Sequence, residues 1–171
     1  MDDHFALFQM TPAFAIDAAA LDAAYRELQG RVHPDKFASA TDTEKRVAMQ
    51  WATRANEAYQ TLKNPLKRAA YLCELNGVDL GIESNTAMAP AFLMQQMAWR
   101  EALDDARDGR DLSALEALEG ELRAERKRQL TDIGALIDGG QYEQAGARVR
   151  QLMFVERFGE DVARVFEALE A

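Results

Sequence analysis

A chain of 171 residues that is 48% hydrophobic and 29% charged can bury a core as one domain or two small ones, and it lacks the composition of a disordered segment. A formal net charge of −9 argues against nucleic acid as the main partner, because phosphate contacts need a basic field. The single cysteine, Cys73, leaves no internal disulfide and no multi-cysteine zinc site. No cluster of convergent ligands is evident, and neither a metal nor a cofactor is expected.

The N-terminus, Met-Asp-Asp-His, has no signal-peptide apolar run, and no apolar segment reaches membrane-spanning length. A cytoplasmic protein with no membrane partner is expected. Glycine and proline are sparse, and apolar residues recur at helical spacing, which predicts an all-α fold.

Phe5, Leu7 and Phe8 form a short apolar cluster at the start, followed by Thr11-Pro12 and a connecting loop. Asp17 is a suitable N-cap for a helix over about 18–32. On it, Leu21, Ala24, Tyr25, Leu28 and Val32 make one stripe, with Arg26 pointing away and Arg31 at its edge. Gly30 costs about 1 kcal/mol against alanine in a helix, with no sequence-level reason for its presence.

Val32-His33-Pro34 should end this helix abruptly, because the residue before a proline is pushed out of the helical region. His33, Pro34 and Asp35 are then displayed at a stiff tip. Residues 38–42 read as a loop ending in a cap. A second helix over about 43–62 carries Val47, Trp51, Ala55, Ala58, Tyr59 and Leu62 on one face, and the two helices should pack antiparallel. A shorter helix from Leu66 follows Asn64-Pro65. It buries Leu66, Ala69, Ala70 and Cys73 and closes at Asn76-Gly77. Residues 77–88 show no helical period and read as a connection.

Pro90 suits the first turn of a helix over about 90–107 that has two apolar faces. Phe92, Trp99, Ala102, Leu103 and Ala106 gather on one side. Leu93, Met94 and Met97 gather on another, which continues as Glu101, Asp104 and Asp105. One stripe is enough to pack a helix, so the second suits an adaptable protein-binding surface; burial of both faces between neighbouring helices is the alternative. A turn at 108–111 leads into a long helix with Leu112, Leu115, Leu118, Leu122, Leu130, Ile133, Leu136 and Ile137, whose central Glu125-Arg126-Lys127-Arg128 run reads as a solvated face. After Gly139-Gly140, the last helix presents Tyr142, Ala145, Val149, Leu152, Val155, Val162, Phe166 and Leu169. Phe154 falls off the early part of that stripe, so it is either rotated inward or exposed and functional.

The run His33-Pro34-Asp35-Lys36-Phe37 at the tip of a helical hairpin resembles a J-domain. With Ala55-Asn56-Glu57-Ala58-Tyr59-Gln60-Thr61-Leu62 and Asn64-Pro65-Leu66-Lys67-Arg68-Ala69, the chain is similar to the HscB family of iron–sulfur-assembly co-chaperones. Ala91-Phe92-Leu93-Met94 and Arg100-Glu101 extend the resemblance into the second half. The resemblance implies a J-domain over 1–76, a linker over 77–88 and a three-helix bundle over 89–171. It implies docking of His33, Pro34, Asp35, Lys36, Arg26 and Arg31 on a DnaK-type ATPase chaperone of the HscA class. It further implies that Leu93, Met94, Met97, Glu101, Asp105 and Phe154 hold the iron–sulfur scaffold protein IscU. Having no paired cysteines, the chain resembles the bacterial type, and a monomer is expected.

Two other functions are open at this stage. A J-domain co-chaperone could serve a different client, which the Leu93/Met94/Met97 face and Phe154 speak against. His33 and Asp35 could be a catalytic or metal pair, but the only other histidine is His4, and no phosphate loop or nucleophile motif accompanies them. No enzyme activity is expected.

Overall fold

The computed structural model describes residues 3–81 and 88–171. They form seven α-helices, with no strand among the described residues: α1 (His4–Leu7), α2 (Ala18–Val32), α3 (Asp42–Lys63), α4 (Pro65–Leu75), α5 (Pro90–Asp108), α6 (Leu112–Asp138) and α7 (Tyr142–Glu170). A 3-10 turn, Pro34–Phe37, lies between α2 and α3. The chain divides into two compact units, Met1–Leu72 and Cys73–Ala171, with the boundary inside α4.

In the first unit, local chemistry sets each helix end. Asp17 accepts from the Ala19 and Ala20 amides and starts α2. Thr41 starts α3 through a reciprocal box, its hydroxyl taking the Glu44 amide while the Glu44 carboxylate takes the Thr41 amide. The cap is therefore Thr41, one residue before the end of the expected loop. Asn64 Oδ1 accepts from the Leu66 and Lys67 amides at 2.9 and 3.1 Å, and Pro65 fills the first helical position of α4.

Helices α2 and α3 run antiparallel. The Tyr59 hydroxyl donates to Asp22 at 2.7 Å and the Tyr25 hydroxyl to Asn56 at 3.4 Å, so each step up α2 is matched by a step down α3. The Tyr25 and Tyr59 rings stack at 4.1 Å between these bonds. Leu21, Ala55, Ala58, Leu62, Ala69 and Phe5 close the core around them. Arg68 is buried with them. Its Nε donates to the Phe14 carbonyl at 2.6 Å and its Nη1 to the Leu62 carbonyl at 2.7 Å, satisfying an orphan acceptor at the end of α3.

Val47 and Trp51 do not join this core as the periodicity predicted; they are 46% and 40% exposed, and Ala48 is buried instead. The antiparallel register supplies the reason. It sets Trp51 level with Gly30, in the last turn of α2, and Val47 beyond the end of α2, so the facing helix runs out where these two side chains stand. A Cβ added at Gly30 would meet nothing within 4 Å.

In the second unit, α4 ends in a Schellman motif. The Val78 amide reaches the Cys73 carbonyl and the Gly77 amide the Glu74 carbonyl, with Gly77 at φ +85°. The start of the expected connection is packed rather than free. Val78 and Leu80 are buried against α7, where a Cβ on Gly146 would come within 2.8 Å of Val78 Cγ1. Arg150 also donates to the Asp79 carbonyl at 3.3 Å. Residues 82–87 of that connection lie outside the described residues.

Helices α6 and α7 are antiparallel, as the Arg126–Glu156 bond at 2.8 Å and the Gln129–Gln151 bond at 3.3 Å require. Helix α5 packs on both. Phe92, Trp99, Leu103 and Ala106 face inward, and Trp99 stacks on Phe158 at 6.1 Å. Ala102, expected on that side, is exposed because the buried stripe is only about one residue wide per turn.

The charge run on α6 needs a correction. Glu125 is buried, because Leu115, Leu118, Leu122, Glu125 and Gln129 recur at three- and four-residue steps along the inner face. Its Oε1 accepts from Gln129 Nε2 at 2.9 Å, and Arg128 lies against its Oε2 as an ion-pair partner, though that oxygen accepts no hydrogen bond.

Candidate functional site

Two constellations stand out, one in each unit. The first is the turn after α2. Pro34 opens the 3-10 turn, and its backbone folds so that the Lys36 amide bonds to the His33 carbonyl at 3.0 Å. The Asp35 amide donates to His33 Nδ1 at 3.2 Å. A ring nitrogen that accepts carries no proton, so the proton sits on Nε2 and remains available to an outside acceptor. The Asp35 carboxylate lies 3.6 Å from Nδ1, and its side chain is 92% exposed. His33, Pro34, Asp35 and Lys36 are all exposed, and every intramolecular bond of the turn is made by neighbours in sequence.

Arg26 and Arg31 are exposed on α2. Arg31 is engaged by Glu27 one helical turn back, at 2.5 Å. That exposed pair contributes well under about 1 kcal/mol to stability, but it lowers the net positive charge beside the tip. Among the described residues no group of acids, histidines or cysteine is placed to hold a metal ion.

The second constellation is a groove of about 950 Å³ between α5 and α7. Leu93, Met97, Glu101 and Asp105 line it from α5, at spacings of four residues that keep them on one face of the helix. Phe154, half-exposed on α7, lines it from the other side. Met94 is 71% exposed, one residue round the helix from Leu93, and does not line the groove. Below the opening, Trp99 and Phe158 close the floor.

The second apolar face of α5 is therefore uncovered, with Leu93 at 44% and Met97 at 72% exposure. The sequence signal missed three groove residues on α7. Arg157, Phe158 and Asp161 follow Phe154 at steps of three, four and seven, the helical spacing of a shared face, and all line the groove.

Charge on the groove walls is partly cancelled. Asp161 pairs with Arg100 at 3.3 Å and with Arg164, and Asp104 pairs with Arg107 at 3.3 Å. Glu101 and Asp105 have no cation partner among the described residues. The Cys73 thiol lies away from this chemistry. Burial is the main cause that pushes it up to about 11, so it stays a neutral, apolar side chain.

Residues 88–163 match the family described as the HSCB C-terminal oligomerisation domain. The chain is 58% identical over 169 residues to a co-chaperone protein HscB homolog of Burkholderia mallei, covering 99% of this chain and 97% of that one. It is 56% identical, over the same shares, to the homolog of Paraburkholderia xenovorans. Among solved structures, the chaperone HscB from Vibrio cholerae superposes with a TM-score of 0.86 at 34% identity, covering 98% of this chain and 99% of that one. Human co-chaperone HscB gives 0.89 at 28% identity, covering 95% and 81%.

Proposed function

Because the chain belongs to the HscB co-chaperone family, we propose that it recruits a DnaK-type ATPase chaperone of the HscA class and delivers an IscU-type iron–sulfur scaffold protein to it. The observation that carries this function is the uncovered groove. A three-helix bundle needs one apolar stripe per helix, yet α5 keeps Leu93 and Met97 in solvent opposite Phe154. Glu101 and Asp105 continue that face with free acid and would select a partner segment that carries basic side chains.

At the tip, His33 offers Nε2–H as a donor and Asp35 offers a carboxylate to an arginine of the chaperone. Lys36, Arg26 and Arg31 add positive charge that steers an acidic chaperone surface toward the tip. Residues 1–76 act as the J-domain, 77–88 as the connection and 89–171 as the scaffold-binding bundle. Held by one domain, the scaffold gains a high effective concentration near a chaperone bound by the other. The protein acts as a cytoplasmic monomer, makes and breaks no covalent bond itself, and uses neither nucleic acid nor membrane as a partner.

The test is the steady-state ATPase rate of the HscA-type chaperone with scaffold, with this protein, with both, and with both carrying His33→Gln. Stimulation by both together well beyond either alone, lost in the mutant, supports delivery. Stimulation indifferent to the scaffold would point to another client, and no stimulation at all would reject the tip as a docking site.

A further inference from the structure

Arg157 is the one groove cation without an internal role in charge balance. Its guanidinium lies 5.6 Å from the centre of the Phe154 ring, and its side chain is exposed at the groove wall. The other groove cation, Arg100, is occupied: it pairs with Asp161 and lies 5.1 Å over the Phe158 ring. Along α7, Glu156 is taken by Arg126 and Asp161 by Arg100 and Arg164, and the exposed Glu160, three residues on, makes no ion pair with Arg157 among the described residues. Across the groove, Glu101 and Asp105 stand on α5 without a cation among the described residues. The groove thus has an acidic wall on α5, a basic point on α7, and an apolar floor between them.

Building on the assignment of this groove to the scaffold protein, we propose that Arg157 sets the orientation of the occupant. The bound segment carries an apolar ridge, basic side chains on the flank that meets Glu101 and Asp105, and an acidic side chain on the flank that meets Arg157. An apolar groove alone accepts a ridge in either direction. Unlike charges on its two walls reject the reversed direction, because that would place like charges opposite each other. A guanidinium lying against a ring is pre-organised and loses little freedom when a carboxylate binds.

The experiment measures scaffold affinity by calorimetry with the full chain and an IscU-type scaffold protein as the probe. Arg157→Lys should bind within about twofold of the parent. Arg157→Gln, which keeps a side chain long enough to cover Phe154, should bind about fivefold more weakly, and Arg157→Glu on the order of tenfold or more, as loss and reversal of an interfacial charge require. Removing one acidic residue of the scaffold should abolish the difference between Arg157 and Arg157→Gln, and that non-additivity identifies the contact. Met97→Asp serves as the control, since Met97 is 72% exposed and its replacement leaves the core intact.

If Met97→Asp removes binding while Arg157→Glu binds like the parent, the orientation role is wrong and the groove assignment stands. If Met97→Asp also binds like the parent, both are wrong. If sedimentation shows self-association that Met97→Asp abolishes, the occupant is a second copy of this chain and the proposal is overturned.

Discussion

The tip and the groove solve the same problem, presenting a rigid recognition surface, by opposite means. The tip is local. Its ring-to-amide bond, its turn bond and its proline constraint all fall within residues 33–36. The groove is assembled from side chains some sixty residues apart, and its floor exists only because Trp99 and Phe158 stack across two helices. A local device can change its contact residues without unsettling the fold, whereas an assembled one shares its floor, Trp99 and Phe158, with the core.

The sharpest way to break the comparison is Trp99→Ala. It removes a buried aromatic at the groove floor and should cost about 3–5 kcal/mol, seen as a lower denaturant midpoint, together with loss of scaffold binding. Stability held near the parent value would mean that the floor is not part of the core. At the tip, His33→Gln should do the reverse. Chaperone stimulation should fall on the order of tenfold, the factor given by about 1.4 kcal/mol of lost docking energy, with the melting temperature and scaffold affinity unchanged. A drop in melting temperature would show that the tip bears on the fold.

Gly30→Ala probes the helix that leads into the tip. Nothing lies within 4 Å of the new methyl group, so removing a helical glycine should stabilise the protein by about 0.5–1 kcal/mol. Destabilisation in a urea titration would mean that the backbone there departs from the helix in solution.

The smallest expected effect concerns His4. Its ring stacks on Tyr71 at 4.4 Å, and burial, more than any neighbouring charge, lowers its pKa below the ordinary 6.5. Folding therefore favours the neutral ring. This stabilisation is complete above pH 6.5 and is lost as pH falls through the lowered folded value. His4→Phe keeps a ring on Tyr71 but does not titrate, so its urea midpoint should fall less than the parent's between pH 7.5 and pH 5. Equal slopes would show that the ring does not report on folding.

The helix boundaries from the start of α2 to the end of α4 were largely legible because they depend on neighbours. Asp17, Pro34, Asn64 and Gly77 each act within three residues of themselves. The second face of α5 was legible for a similar reason, since four-residue steps from Leu93 through Asp105 hold on any straight helix. Trp51 was misplaced because its exposure depends on where the facing helix α2 ends, which the periodicity of α3 alone does not carry. Glu125 was misplaced because its charge hid a core-stripe position that its spacing from Leu118 and Leu122 marks.

Sequence by itself therefore determined the helices, the stiff His33-Pro34-Asp35 turn and the surplus apolar face of α5, because each follows from torsional limits and periodicity along a single segment. Only the tertiary structure decided that Val78 and Leu80 pack on Gly146, and that Arg157 stands across from Glu101 and Asp105 without an acid of its own. Those are pairings between segments, and the register that sets them comes from close packing of many side chains at once.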